Sequence, residues 1–292
     1  MTKIRVLVFG TTGIGKTSLC NSLAERNRPT DGGAKGVTEK SHQYGAFEYE
    51  GRKIELVDTV GLHESSFGTV PAEKAILQLV ELLKNAKNGF NLLIHVTRAS
   101  RITKDFEDDH KFFVEKLTQG QIPVLLVATG CENHSPMQDW VEENKSHFAP
   151  FNYQAIIASC FATGGALEAH YSPLRDESRN AVLSAILRFS LDNPFLLYGK
   201  GTGTTFSQAL TRIWNGFVDI VGLPQKYRRE LNESAYAMLK RVGVPEKLAQ
   251  AAIQHIPDLV EEVANKIPVP GIGKIARKAT EHLIKAVRTK KS

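Results

Sequence analysis

Apolar positions along this chain follow two periods up to about residue 191 and only one after it. Short runs rich in branched apolar residues occupy 3–9, 43–49, 53–58, 90–96, 122–128 and 154–160, and they read as strands. Between them, apolar residues recur every three or four positions at 16–26, 71–87, 104–118, 136–147 and 174–190, and these read as helices. The runs 43–49 and 53–58 flank Glu50-Gly51-Arg52, a short hairpin turn, so one strand is expected to lie antiparallel to its neighbours. The remaining alternation predicts an α/β fold: a mostly parallel six-stranded sheet with helices on both faces.

After Asp192-Asn193-Pro194 the pattern changes. Proline and the residue before it disfavour helix, so the last helix of the first region ends there. Gly199-Lys200-Gly201-Thr202-Gly203-Thr204 reads as a flexible connector: no apolar strand precedes it and no Gly-Lys-Ser/Thr closes it. Beyond it only helical spacing remains, at 206–220, 224–242, 245–255, 257–266 and 272–288, punctuated by Pro224, Pro245, Pro257, Pro268 and Pro270. The expected organisation is an α/β domain over 1–191, a linker over 192–205 and an α-helical extension over 206–292. No internal repeat or low-complexity tract is evident.

Composition narrows the class. Of 292 residues, 42% are hydrophobic and 23% charged, as in an ordinary globular protein. No apolar run approaches the roughly 18 residues that span a bilayer. The first strand begins so close to residue 1 that a targeting peptide is not expected. Cys20, Cys131 and Cys160 are far apart, without metal-ligand spacing, which fits a reducing compartment and a cytoplasmic location. The net charge of +6 is unevenly placed. Residues 265–292 hold eight basic residues against Glu281, a net +7, which leaves −1 for residues 1–264.

The candidate chemistry starts at the end of the first strand. Gly10-Thr11-Thr12-Gly13-Ile14-Gly15-Lys16-Thr17 fits G-x-x-x-x-G-K-S/T between a strand and a helix start at Ser18-Leu19. Glycines let backbone N–H groups from Thr11 to Ser18 turn onto a phosphate chain, and the helix N-terminus adds partial positive charge. Lys16 would reach the β- and γ-phosphates of a nucleoside triphosphate, and Thr17 would ligate Mg²⁺. Asp58-Thr59-Val60-Gly61 closes the apolar run at 54–57, about 40 residues later. A carboxylate at a strand end can hold the Mg²⁺ shell, and the Gly61 N–H can approach the γ-phosphate. Between the two motifs runs a glycine-rich polar stretch in which Thr38, better placed than Thr30, could complete the Mg²⁺ shell.

A base-recognition motif follows the run 124–128. Guanine-specific domains of this type usually carry Asn/Thr-Lys-x-Asp, whose carboxylate accepts from guanine N1 and N2 while the lysine stem covers the ring. Here the residues are Thr129-Gly130-Cys131-Glu132. Glu132 can accept two hydrogen bonds, whereas adenine presents an acceptor at N1, so guanine is favoured over adenine. Gly130 removes the ring cover. Ser159-Cys160, after the sixth strand, stands where a backbone N–H would meet guanine O6.

Taken together, Gly10-x4-Gly15-Lys16-Thr17-Ser18-Leu19-x-Asn21, Val37-Thr38-Glu39-Lys40, Asp58-Thr59-Val60-Gly61-Leu62 and the divergent fourth motif resemble the GIMAP-like branch of the septin-related P-loop GTPases. Thr129-Gly-Cys-Glu132-Asn133-His134-Ser135-Pro136-Met137 and Asp176-Glu177-Ser178-Arg179 are similar to uncharacterised fungal single-G-domain members. The resemblance covers about residues 1–191 and does not reach the helical extension. It implies GTP/GDP and Mg²⁺ binding, slow hydrolysis and nucleotide-dependent homodimers through the G-domain face. Ras-type proteins carry glutamine after the glycine of the third motif, which orients the attacking water. Leu62 cannot do this. Lys16, Gly61 and His63 are the catalytic candidates, although His63 could equally face solvent. Arg98 and Arg101 could act as fingers across a dimer, or be plain surface arginines. The competing classes are a scaffold that holds nucleotide without turnover and an ATP-dependent P-loop enzyme.

The stretch 272–288 has apolar residues at 272, 275, 276, 279, 283, 286 and 287, with bases on much of the other face. Such a helix can dock its apolar stripe on the protein or lie on an anionic membrane surface as a peripheral contact. Nucleic acid is disfavoured, since the stretch has no aromatic residue to stack on bases.

Overall fold

A computed structural model describes residues 3–26, 42–59, 82–83, 85–100 and 102–205, with 208–209, 212–213 and 215–216. The chain forms two compact units, Met1–Gly68 with Glu81–Thr204, and Thr69–Val80 with Thr205–Ser292. The first holds the sheet. In the second, Ala209 and Ile213, four residues apart, are both buried. The helices expected over 71–87 and past 206 fall mainly outside the described residues.

In chain order the first unit runs β1 (Ile4–Phe9), α1 (Lys16–Ala24), β2 (His42–Gln43), β3 (Phe47–Tyr49), β4 (Arg52–Asp58), β5 (Leu92–Arg98), α2 (Lys104–His110), β6 (Val124–Thr129), α3 (Asp139–Phe148), β7 (Ala155–Ser159) and α4 (Glu168–Phe189). Across the sheet, β4, β1, β5, β6 and β7 are parallel neighbours. β2 and β3 both pair antiparallel to β4 and share one edge position, so the sheet is six strands wide. The mostly parallel α/β architecture read from the hydrophobic pattern is the observed one.

The edge departs from the expected single strand over 43–49. His42 faces Asp58 and Gln43 faces Val57, but Phe47 faces Ile54. Three residues, 44–46, therefore oppose two, 55–56, which is a β-bulge that splits the strand. Tyr44 stays in the ladder through its N–H to Leu56 O, 2.9 Å, and its ring is buried. The hairpin is a two-residue turn with Glu50 at φ 46° and Gly51 at φ 72°. Two positive φ values match the twist of the flanking strands.

β1 is buried at every position, Arg5 included. That guanidinium is satisfied by Glu55 Oε1 at 2.8 Å, Gly89 O at 2.6 Å and Asn85 O at 2.9 Å. The alternation of β6 shows the two-sided core: Leu125 and Val127 pack with α1 and α4, and Leu126 and Ala128 with α2 and α3. α2 starts on Thr103, whose hydroxyl accepts from Phe106 N–H, and continues past His110 as a wider π-helix, Lys111–Leu117. α4 begins six residues before the expected 174, because Pro173 sits inside its second turn. A proline there removes one i→i−4 bond without ending the helix.

Candidate functional site

Parallel pairing sets Val8 beside Asp58 and Phe9 beside His95, so the ends of β1, β4 and β5 meet where the chain turns from β1 into α1. Gly10 opens that turn at φ 142°, and a Cβ on it would lie 2.5 Å from Val96 O and 2.6 Å from Ile14 Cδ1. Glycine is required there by space as well as by φ. Gly15, at φ 99°, precedes α1.

Lys16 is buried and folds back over the turn, its Nζ donating to Gly10 O at 2.8 Å and Thr11 O at 2.7 Å. Thr17 Oγ1 donates to Asp58 Oδ2 at 3.0 Å, joining the first and third motifs. Thr59 holds that junction shut, its N–H and hydroxyl both donating to Val8 O at 3.0 Å. A hydroxyl and a carboxylate, hard oxygen donors from two motifs, fit one Mg²⁺ whose other ligands come from phosphate and water. Among the described residues no three His, Cys, Asp or Glu gather to hold a metal without such a ligand.

The fourth motif reaches the same loop. Thr129 Oγ1 lies 2.6 Å from Ile14 O and 3.2 Å from Thr97 O, so the end of β6 is fastened to the phosphate loop and to β5. Three residues on, Glu132 Oε2 is buried and has no hydrogen-bond partner among the described residues. The last loop lies alongside, with Cys131 N–H donating to Ser159 O at 3.1 Å. Ser159 is buried and its hydroxyl donates to Ala128 O, 2.8 Å. The Cys160 N–H donates to Ser178 Oγ at 2.9 Å. That N–H is thus engaged by α4, which packs on β7. Burial pushes the Cys160 thiol up, and the Glu132 carboxylate beside it pushes the same way.

The structure thus brings together Thr11, Thr12, Gly13, Ile14, Gly15, Lys16, Thr17, Ser18, Asp58, Thr129 and Glu132 around the ends of β1, β4 and β6. Thr30, Thr38, Gly61, Leu62, His63 and Arg101 lie outside the described residues.

One polar cluster was missed in the sequence. His95 is fully buried between Phe9 and Phe106, ring centroids 4.5 Å and 4.2 Å away, and its Nδ1 meets Tyr153 OH at 2.7 Å. Burial, then the charges of His110 and Lys16, holds its pKa well below the usual imidazole range. Burial also pushes the Asp109 carboxyl up to about 8, against the opposing charge of Lys16. A lone histidine in an apolar run carries no signal of this, since its partners Tyr153 and His110 are distant in sequence.

Residues 5–130 match the family described as 50S ribosome-binding GTPase. This stretch is similar to a P-loop GTPase G domain. Among curated proteins, immune-associated nucleotide-binding protein 7 of Arabidopsis thaliana is 33% identical over 105 residues, 35% of this chain and 33% of that protein. The tRNA modification GTPase MnmE of Mycoplasma genitalium is 32% identical over 104 residues, 35% of this chain and 22% of that protein. The alignments thus span a third or less of those relatives' own lengths. Among solved structures, Toc33 of Arabidopsis thaliana with GDP and Mg²⁺ is similar with a TM-score of 0.46 at 17% identity, over 68% of this chain and 89% of that one. The matched span holds every described site residue except Ser159 and Cys160, which follow it, and Glu132, two residues past it.

Proposed function

We propose that the G domain binds GTP and GDP with Mg²⁺, hydrolyses GTP slowly, and serves as a nucleotide-controlled switch or assembly element. The observation that carries the guanine reading is Glu132 Oε2, a buried carboxylate oxygen with no N–H or O–H donor among the described residues, only the weakly donating Cys160 thiol lying beside the carboxylate. Leaving such an acceptor unmade is costly, and a guanine edge offers it two N–H donors. Adenine offers an acceptor at N1 against the same carboxylate and would be repelled.

Lys16 would exchange the carbonyls of Gly10 and Thr11 for phosphate oxygens, keeping its hydrogen bonds while gaining opposite charge. Thr17 and Asp58 would hold Mg²⁺, which, when bound, neutralises charge on the β- and γ-phosphates. Thr129 keeps the base-recognition segment in register with the phosphate loop, so base and phosphates are read by one rigid frame. Leu62 in the place of a water-orienting glutamine supports a low rate of hydrolysis. The finer placement, in the GIMAP-like branch, draws support from two immune-associated nucleotide-binding relatives at 33% and 30% identity over 105 residues each.

Calorimetry of the full chain with GTP, GDP and ATP in the presence of Mg²⁺ tests the reading. GTP and GDP are expected to bind at least about tenfold tighter than ATP. Equal affinities would remove the base assignment, and no binding of any of the three would remove the nucleotide site.

A further inference from the structure

The Asn/Thr-Lys-x-Asp motif uses its lysine stem to cover one face of the base, and Gly130 has no stem. Among the described residues, a Cβ built on Gly130 would meet Arg98 Cγ at 3.5 Å and Arg98 Nε at 3.6 Å. Both are ordinary van der Waals distances, so the arginine side chain runs alongside the position from which a side chain at 130 would start. Its backbone is fixed on both sides by Thr129: Thr97 O lies 3.2 Å from the Thr129 hydroxyl, and Ala99 N–H donates to Thr129 O at 2.7 Å. Arg98 also faces Thr129 in the β5–β6 register. Its side chain is exposed and makes no hydrogen bond or ion pair among the described residues, so its guanidinium is available.

We infer that Arg98 supplies from β5 the base cover that residue 130 lacks, laying its guanidinium plane on the guanine ring of the nucleotide held by Glu132. The inference rests on the guanine-nucleotide reading of this site. A flat, always-charged guanidinium stacks on a heterocycle, and its three-carbon stem shields the ring from water as a lysine stem would. Gly130 is part of the same arrangement, since a longer side chain there would occupy the path of Arg98. The role assigned here is in cis, within one chain, and differs from a finger reaching into a partner's site. Arg98 is a positioning and affinity residue, and hydrolysis needs it only through the bound base.

The test is calorimetric titration of the full-length protein with GDP, ADP and inorganic tripolyphosphate, for the parent, Arg98→Ala and Arg98→Lys. Base stacking by one side chain is lost on truncation to alanine, so GDP affinity is expected to fall about tenfold in Arg98→Ala. Arg98→Lys should recover part of the loss through its stem. Tripolyphosphate touches only the phosphate loop, so its affinity should not change in either variant. Unchanged or tighter GDP binding in Arg98→Ala, with the parent still preferring GDP over ADP, would overturn the Arg98 assignment alone. A parent that binds GDP and ADP equally would instead overturn the guanine reading beneath it. Loss confined to the rise of GTPase activity with protein concentration, with GDP affinity kept, would assign Arg98 to a partner's site and also refute the inference. A parallel fall in tripolyphosphate affinity would refute it as well, because the variant would then have disturbed the loop and not the base.

Discussion

At the scale of single residues, two buried groups make opposite commitments. Glu132 keeps a carboxylate oxygen buried with no N–H or O–H donor among the described residues, a cost that a bound base would relieve. In Glu132→Gln, GDP affinity is expected to fall about 10- to 100-fold, since hydrogen bonds to a charged acceptor contribute about 1.5–3 kcal/mol. The thermal midpoint without nucleotide should hold or rise, because the buried charge is gone. Calorimetry and a melting curve on the same sample separate the two effects. His95 is committed to neutrality: its folded pKa is depressed by burial, while the unfolded chain titrates near 6.5. Below that value the unfolded state binds a proton that the folded state refuses, so stability falls as pH falls, by up to about 1.4 kcal/mol per pH unit for one group. His95→Phe keeps the stack with Phe9 and Phe106 but gives up the bond to Tyr153. The variant should be less stable than the parent at pH 8, and the difference should narrow as pH drops from 6.5 to 5. Denaturant melts of both proteins across that range check it, and a constant difference would mean that His95 does not titrate on unfolding.

At the scale of elements, the turn from β1 to α1 is a backbone construction whose tolerance varies over three residues. A methyl on Gly10 would press into the Val96 carbonyl at 2.5 Å, whereas one on Gly13 meets nothing within 4 Å among the described residues. Both sit at positive φ, so both substitutions carry a backbone penalty, of about 1–3 kcal/mol for a residue held in such a sparsely populated region. Only Gly10→Ala must also push β5 away from β1 or reshape the loop. It is expected to lower the thermal midpoint further than Gly13→Ala and to abolish GDP binding, with melting and calorimetry as the readouts. The edge strand illustrates a different limit. Alternation predicts a strand over 43–49, but nothing in the apolar pattern marks the extra residue that shifts pairing between Val57 and Ile54. Similarly, α4 begins at Glu168, where Arg175 pairs with Glu168 and with Ala162 O, contacts invisible to a reading that starts the helix after Pro173.

For the whole molecule, the proposal of slow hydrolysis raised by association is tested in the kinetics. Specific GTPase activity is expected to rise over a hundredfold increase in protein concentration, because Leu62 cannot orient water and a second copy can supply an arginine. A flat specific activity in a phosphate-release assay would leave a self-contained switch. The basic stretch 272–288 lies outside the described residues and remains a proposal from its pattern: flotation with anionic liposomes, in GDP and in a non-hydrolysable GTP analogue, tests a peripheral membrane contact. No helix among the described residues is long and apolar enough to cross a membrane. The sequence by itself determined the strand–loop–helix phosphate loop, the parallel sheet and the positions of Lys16, Thr17, Asp58, Thr129 and Glu132, because spacing within a motif and periodicity within an element are local properties. The tertiary structure alone decided that Thr129 clasps Ile14, that Cys160 spends its N–H on Ser178, that His95 lies sealed against Tyr153, and that Arg98 fills the space beside Gly130. Each of those joins residues 18 to 115 positions apart, or neighbouring strands that meet only through the sheet register, and no one-dimensional pattern encodes a register between segments so distant.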